Sequence, residues 1–196
     1  VFLGHRRLSI IDLSESGNQP FLSHDGRYIL IYNGELYNYR ELKIELQGAQ
    51  HGSKHLPYFF KTDTDTEVIL AAYIRWGKEC LNYFNGMFAF AIWDNEEQKL
   101  LIARDRMGIK PLYYYFKNNT LLFASEIRAL MQSGLIAKKL NQAAVAGYIQ
   151  YSTVHAPNTI LQDVFMLMPA HAMEWQNHNI NIFEYWNINT YAKSLK

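Results

Sequence analysis

The order of elements in this sequence predicts an α+β fold, with antiparallel sheets and helices gathered on their faces. Three observations lead there. Apolar, β-rich runs come in pairs around short polar turns, as at 87–93 and 100–103. Helical spacing occurs in separate blocks instead of between successive strands, so the pattern is not a βαβ alternation. The 196 residues are 49% hydrophobic and 15% aromatic, enough for one domain to bury about 70% of its unfolded surface without disulfides or metals.

Along the chain, residues 27–33 (RYILIYN) form a β-rich run that ends at Asn33-Gly34, a turn signal. Residues 37–47 have helical spacing, 48–57 reads as a loop, and 58–61 as a short strand. Thr64-Asp65-Thr66-Glu67 has the form of a capping box. The helix it opens carries Ile69, Ala72, Tyr73 and Trp76 on one face and should stop near Gly77. Strands are expected at 87–93 and 100–103 around the polar turn 94–99, and a second hairpin joins 112–116 to 120–124. Short helices are expected at 125–132 and 142–148. Strand-like pieces, broken by Pro169, fill 164–186, and the stretch after Trp186 turns polar and reads as a linker.

Charge and missing signals narrow the function. Nineteen Lys and Arg against eighteen Asp and Glu give a net charge of +1, with no basic block to grip nucleic acid or an anionic membrane. No apolar run is long enough to span a bilayer. Cys80 is the sole cysteine, which excludes an internal disulfide, fits a reducing compartment and makes the cytoplasm the expected location. Val1 is no initiator methionine and VFLGHRRLSIID reads like the middle of a domain, so a fragment or a trimmed product is expected. The sequence has no glycine-rich phosphate loop, G-x-S-x-G, HExxH or CxxC. Its seven histidines lack metal spacing, and no metal site is expected.

A small polar group sits at the ends of apolar elements. Arg7 closes the basic pair of GHRRLSIID, Asn33-Gly34-Glu35 follows a buried run, and Asp65 lies in a first helical turn. If they converge, Arg7 offers a fork to a carboxylate, and Glu35 and Asp65 offer two anions to an ammonium. The Gly34 amide and the Asn33 side chain would offer two donors to a developing oxyanion. That set describes an α-amino acid with a reactive side-chain amide. Singly, each residue has a plainer reading: Asn-Gly as a turn, Asp65 as a helix-start acid, Arg7 as a surface partner of Asp12.

Six stretches, in order, carry a family resemblance: GHRRLSIIDLSESGNQP (4–20), YNGELYNYRELKIEL (32–46), TDTEVILAAYIRWG (64–77), LNYFNGMFAFAIWD (81–94), LLIARDRMGIKPLYY (100–114) and LLFASEIRAL (121–130). The chain resembles the glutaminase domain of the class II glutamine amidotransferases, most closely the glutamine-hydrolysing asparagine synthetase group. The resemblance implies an N-terminal-nucleophile (Ntn) hydrolase-type αββα sandwich of two antiparallel sheets, lacking its first strand. It implies a glutamine amidotransferase domain at 1–186 and, at 187–196, the start of a linker to an absent synthetase domain. By position, Arg7, Leu8, Ser9, Ile10 and Ile11 match the glutamine-binding segment, with Arg7 on the substrate carboxylate. Asn33 and Gly34 match the oxyanion hole, and Glu35 and Asp65 the residues that bind the α-ammonium.

The implied activity is hydrolysis of the L-glutamine amide, supplying ammonia for ATP-dependent amidation of aspartate to asparagine. The family's nucleophile is a cysteine at the mature N-terminus, whose own amine, with a pKa of about 7.7–8.0, serves as base. No residue here matches it, so the fragment alone is expected to be inactive, and Cys80 reads as a buried structural thiol. No cofactor is expected in these residues; ATP and Mg belong to the absent synthetase domain, which is the expected partner, and a homodimer is compatible. Asp105, Gly108 and Pro111 in ARDRMGIKPLYY read as scaffold. Two rivals stay open: the glutaminase domain of another class II amidotransferase, and a non-catalytic glutamine-binding or oligomerisation module.

Overall fold

Two antiparallel sheets organise the chain in the computed structural model, which describes residues 1–6, 17–48 and 57–194. The first sheet has the order β1-β2-β3-β4-β8-β9, from β1 (Phe21–Leu22), β2 (Tyr28–Leu36), β3 (Gly86–Asp94), β4 (Lys99–Arg104), β8 (His171–Gln176) and β9 (Asn179–Glu184). The second has the order β6-β5-β7, from β5 (Tyr113–Lys117), β6 (Thr120–Ala124) and β7 (Val164–Met166). The helices are α1 (Tyr39–Gln47), α2 (Asp65–Trp76), α3 (Ile127–Gln132), α4 (Gln142–Tyr151) and α5 (Ile188–Ser194), with a 3-10 helix at Gly77–Asn82. The segment expected as linker is therefore helical over Ile188–Ser194.

Layering follows from the two faces of β3. Its side chains alternate large and small, and both faces are buried, which explains a nearly continuous apolar run. Phe88, Phe90 and Ile92 join Leu30 and Leu36 of β2 and the α1–α2 residues Leu42, Leu46, Val68 and Ile69 in one core. Ala89, Ala91 and Trp93 pack between the sheets with Leu100, Ile102, Leu112, Leu167 and Met173. A third core sets Leu130 of α3 against Tyr115 and Val164 of the second sheet. The result is helix, sheet, sheet, helix: the α+β, αββα arrangement.

Local chemistry sets the boundaries. The β5–β6 turn carries Asn118 and Asn119 at φ +50° and +59°, the left-handed pair that a two-residue hairpin needs. The Thr64 hydroxyl accepts from the Glu67 amide at 3.2 Å, and α2 stops at Gly77, with φ +58°. Glu67 does not complete a capping box. Its fully buried carboxylate turns to the preceding segment, accepting from the Lys61 and Thr62 amides and the Thr62 hydroxyl at 2.6–3.2 Å.

Two further expectations are corrected. Residues 58–61 are no strand, because the Lys61 and Thr62 amides bond this carboxylate instead of a ladder. Asn33-Gly34 is no turn either: β2 runs on to Leu36, pairing Asn33 with Ala89, Gly34 with Phe88 and Glu35 with Met87. A Cβ at position 34 would strike the Met87 carbonyl and lie 2.8 Å from Phe88 Cα, so glycine is there to let β3 pass close by.

Asp105 ties the end of β4 to β3. Its fully buried carboxylate accepts from the amides of Phe88, Met107, Ile109 and Lys110 at 2.9–3.2 Å. Arg104 beside it donates to the carbonyls of Gly108, Lys110 and Leu167, and Gly108 takes φ +66°. This is the scaffold role read from the sequence. In Asp105→Asn an NH2 group replaces one acceptor and faces buried amide donors. The substitution should cost about 2–3 kcal/mol, measured by urea denaturation.

Candidate functional site

The parity of the β2–β3 ladder decides what the end of β2 can present. Phe88 opposite Gly34 gives its carbonyl to the Asp105 amide at 2.8 Å and its amide to the Asp105 carboxylate. Gly34 and Phe88 are therefore a pair that exchanges no ladder bonds, and in an antiparallel ladder such pairs alternate. The amides of Tyr32, Gly34 and Leu36 thus point away from β3. On that side β1 pairs only with Ile29 and Leu30, leaving the edge beyond without a strand among the described residues. The Tyr32 amide goes to Gln19 Oε1 at 2.6 Å and the Leu36 amide to Asp65 Oδ2 at 3.0 Å. Between them, the Gly34 amide has no partner among the described residues.

Side chains alternate with the same parity. Tyr32 and Leu36 enter the core beneath α2, whereas Ile31, Asn33 and Glu35 turn to the opposite face. Asn33 Nδ2 donates to Ser125 Oγ at 3.4 Å, just past β6. Both line a cleft of about 790 Å3, bounded by residues 2–6, β2, β3, β6 and α3, with His5 and Arg6 on its wall. Gly34, Glu35 and Asp65 are not among its lining residues.

Two acids meet at the same end of β2. Asp65, 6% exposed, begins α2, and its Oδ2 accepts from both the Leu36 amide and the Tyr32 hydroxyl, the latter at 2.9 Å. Burial raises the Asp65 carboxyl above its ordinary 3.8; those two donors and the Thr66 amide oppose the rise, and the nearby Glu35 charge adds to it. Among the described residues neither acid has a cation within ion-pair distance.

Of the residues singled out in the sequence, Asn33, Gly34, Glu35 and Asp65 come together at the end of β2. Arg7, Leu8, Ser9, Ile10 and Ile11 lie outside the described residues. Cys80 is fully buried in the core beneath α2, and burial pushes its thiol far up, which suits a structural cysteine. Sequence reasoning missed Tyr32 and Ser125. An aromatic in a buried strand and a serine before a helix carry no local mark of function, and only the fold brings them to Asp65 and Asn33. Among the described residues no His, Cys, Asp and Glu cluster could hold a metal ion, and no helix is long and apolar enough to cross a membrane.

Comparison with known proteins identifies the family and the fold. A family described as the glutamine amidotransferase domain matches residues 1–186. The chain is 37% identical to asparagine synthetase [glutamine-hydrolyzing] 3 of Bacillus subtilis, over 96% of this chain and 30% of that protein. It is 35% identical to a putative asparagine synthetase [glutamine-hydrolyzing] 2 of Methanocaldococcus jannaschii, over 97% of this chain and 39% of the relative. It is 36% identical to amidase chry2 of Gibberella zeae, over 100% of this chain and 28% of that protein. The chain thus spans well under half the length of these relatives. Among solved structures, a glutamine phosphoribosylpyrophosphate amidotransferase of B. subtilis shares the fold, with a TM-score of 0.63 at 22% identity over 93% of this chain and 34% of that one.

The raised Asp65 carboxyl has a measurable consequence. Between the unfolded value near 3.8 and the raised folded one, the folded protein holds a proton that the unfolded chain has lost. Stability therefore falls as pH rises through that window. Thermal melts from about pH 4 to 8 should show this loss in the native protein and a smaller one in Asp65→Asn.

Proposed function

This chain belongs to the glutamine amidotransferase domain family, and we propose that it forms the glutamine pocket of a glutamine-hydrolysing asparagine synthetase. The observation that carries this reading is the Gly34 amide at the open edge of β2, between the Asn33 carboxamide on one face and Asp65 at the strand's end. The domain is 1–186, and 187–196 leads toward a synthetase unit.

In this reading Arg7 holds the substrate carboxylate within the segment formed with Leu8, Ser9, Ile10 and Ile11. Glu35 and Asp65 hold the α-ammonium. The side-chain amide then lies where a thiolate attacks its carbonyl carbon. The carbonyl electron pair moves onto oxygen, and the oxyanion is met by the Gly34 N–H and Asn33 Nδ2. The tetrahedral species collapses, the C–N bond breaks, and nitrogen leaves as ammonia after taking a proton. Water then hydrolyses the thioester to glutamate and frees the thiol. The thiolate is not supplied by these residues, since Cys80 is enclosed by core. Activation of aspartate with ATP and Mg belongs to the synthetase unit, and the reaction is placed in the cytoplasm.

A second reading keeps the pocket and changes the acceptor. The 36% identity to an amidase over the whole of this chain supports it, because nothing in a glutamine pocket chooses what the ammonia is given to.

In the full-length native protein, Asn33→Ala should lower glutamine-dependent turnover about 10²–10³-fold with little change in the glutamine KM. Arg7→Ala should raise that KM about tenfold or more and spare ammonia-dependent asparagine synthesis. Equal loss of both activities would remove Arg7 from the pocket, and failure to release ammonia from glutamine would overturn the reading.

A further inference from the structure

Tyr32 stands immediately before the residues assigned to the oxyanion hole, yet its side chain goes the other way. It is 4% exposed, and its ring passes beneath Gly34: a Cβ there would lie 2.9 Å from Tyr32 Cε2. The hydroxyl ends 2.9 Å from Asp65 Oδ2, an oxygen that already accepts the Leu36 amide at 3.0 Å. An ionised carboxylate only accepts, so the phenol donates. Two donors converging on one oxygen fix the plane of the carboxylate and therefore where its second oxygen points.

This is more than a buried hydroxyl finding an acceptor. Asp65 is buried beside Glu35, with no cation near it among the described residues. Burial and the neighbouring charge both favour its neutral form, and a neutral carboxyl would attract an ammonium weakly. Tyr32 and the Leu36 amide are uncharged groups that favour the anion without occupying it as a lysine would. The phenol itself is pushed far up by burial and by Asp65, so it remains a donor throughout the neutral range.

We propose that Tyr32 is a positioning residue, whose hydroxyl holds the Asp65 carboxylate in one orientation to receive the α-ammonium group of the substrate. The assignment rests on the glutamine reading above. It also gives Gly34 a second duty, because any side chain there would displace the Tyr32 ring as well as the β3 backbone.

The test is Tyr32→Phe in the full-length native protein, which keeps the ring and removes only the donor. The glutamine KM should rise about tenfold, the usual scale for a hydrogen bond to a charged group, while kcat for ammonia release changes little. The acid limb of the kcat/KM profile should move to higher pH. Among the described residues the titratable groups that face Asp65 are Glu35 and Tyr32, both on β2, so carboxyl-carbon NMR should assign that movement to Asp65. A lower Tm with KM and the acid limb unchanged would make Tyr32 merely structural and overturn the proposal. If the native protein does not take glutamine at all, the functional reading fails first. The Asp65 titration in the unliganded protein still decides the contact, since an unchanged midpoint in Tyr32→Phe would mean that Tyr32 does not hold the carboxylate.

Discussion

The site depends on one constraint, the parity with which β2 lies against β3. Phe88 spends both backbone groups on Asp105, so its neighbour Gly34 must turn its own amide to the other edge. A shift of one residue would send that amide into the ladder, bring the Tyr32 ring to the cleft face and bury Asn33 beneath α2. The close approach that forces glycine at position 34 pins the same register. Fold and site are thus set by one pairing, and the scaffold acid Asp105 stands behind it.

The buried acids divide by how fully their oxygens are satisfied. Asp105 takes four backbone amides, and Glu67 takes two amides, a threonine hydroxyl and His24 at 3.2 Å. Both stand where segments must be tied together, and both are complete without a ligand. Asp65 differs: the Tyr32 hydroxyl and the Leu36 amide converge on one oxygen, and the nearest charge among the described residues is another acid. A carboxylate kept buried at that cost suits a cation that comes and goes. Satisfaction, more than burial, separates the acids that hold this protein together from Asp65, the acid proposed to receive an ammonium.

The hairpins, the Thr64 cap, the stop at Gly77 and the two-faced burial of β3 were legible in the sequence because each rests on neighbours a few residues apart. The resemblance also placed Asn33, Gly34, Glu35 and Asp65 by position. Asn33-Gly34 was misread as a turn because turn propensity is local, while the strand that overrides it arrives from more than fifty residues downstream. Residues 58–61 were misread as a strand for a related reason: their β-like side chains say nothing of Glu67, which takes the amides.

By itself the sequence determined the α+β class, the order of its elements and the residue types of the candidate site. These follow from periodicity, capping and motif, which act over short range. Only the tertiary structure decided that the Gly34 amide faces an open edge, that Tyr32 reaches Asp65, and that Asn33 meets Ser125 ninety-two positions away. Those relations depend on how strands pair and helices dock. That is a matter of register and distance between remote segments, which no local pattern of side chains encodes.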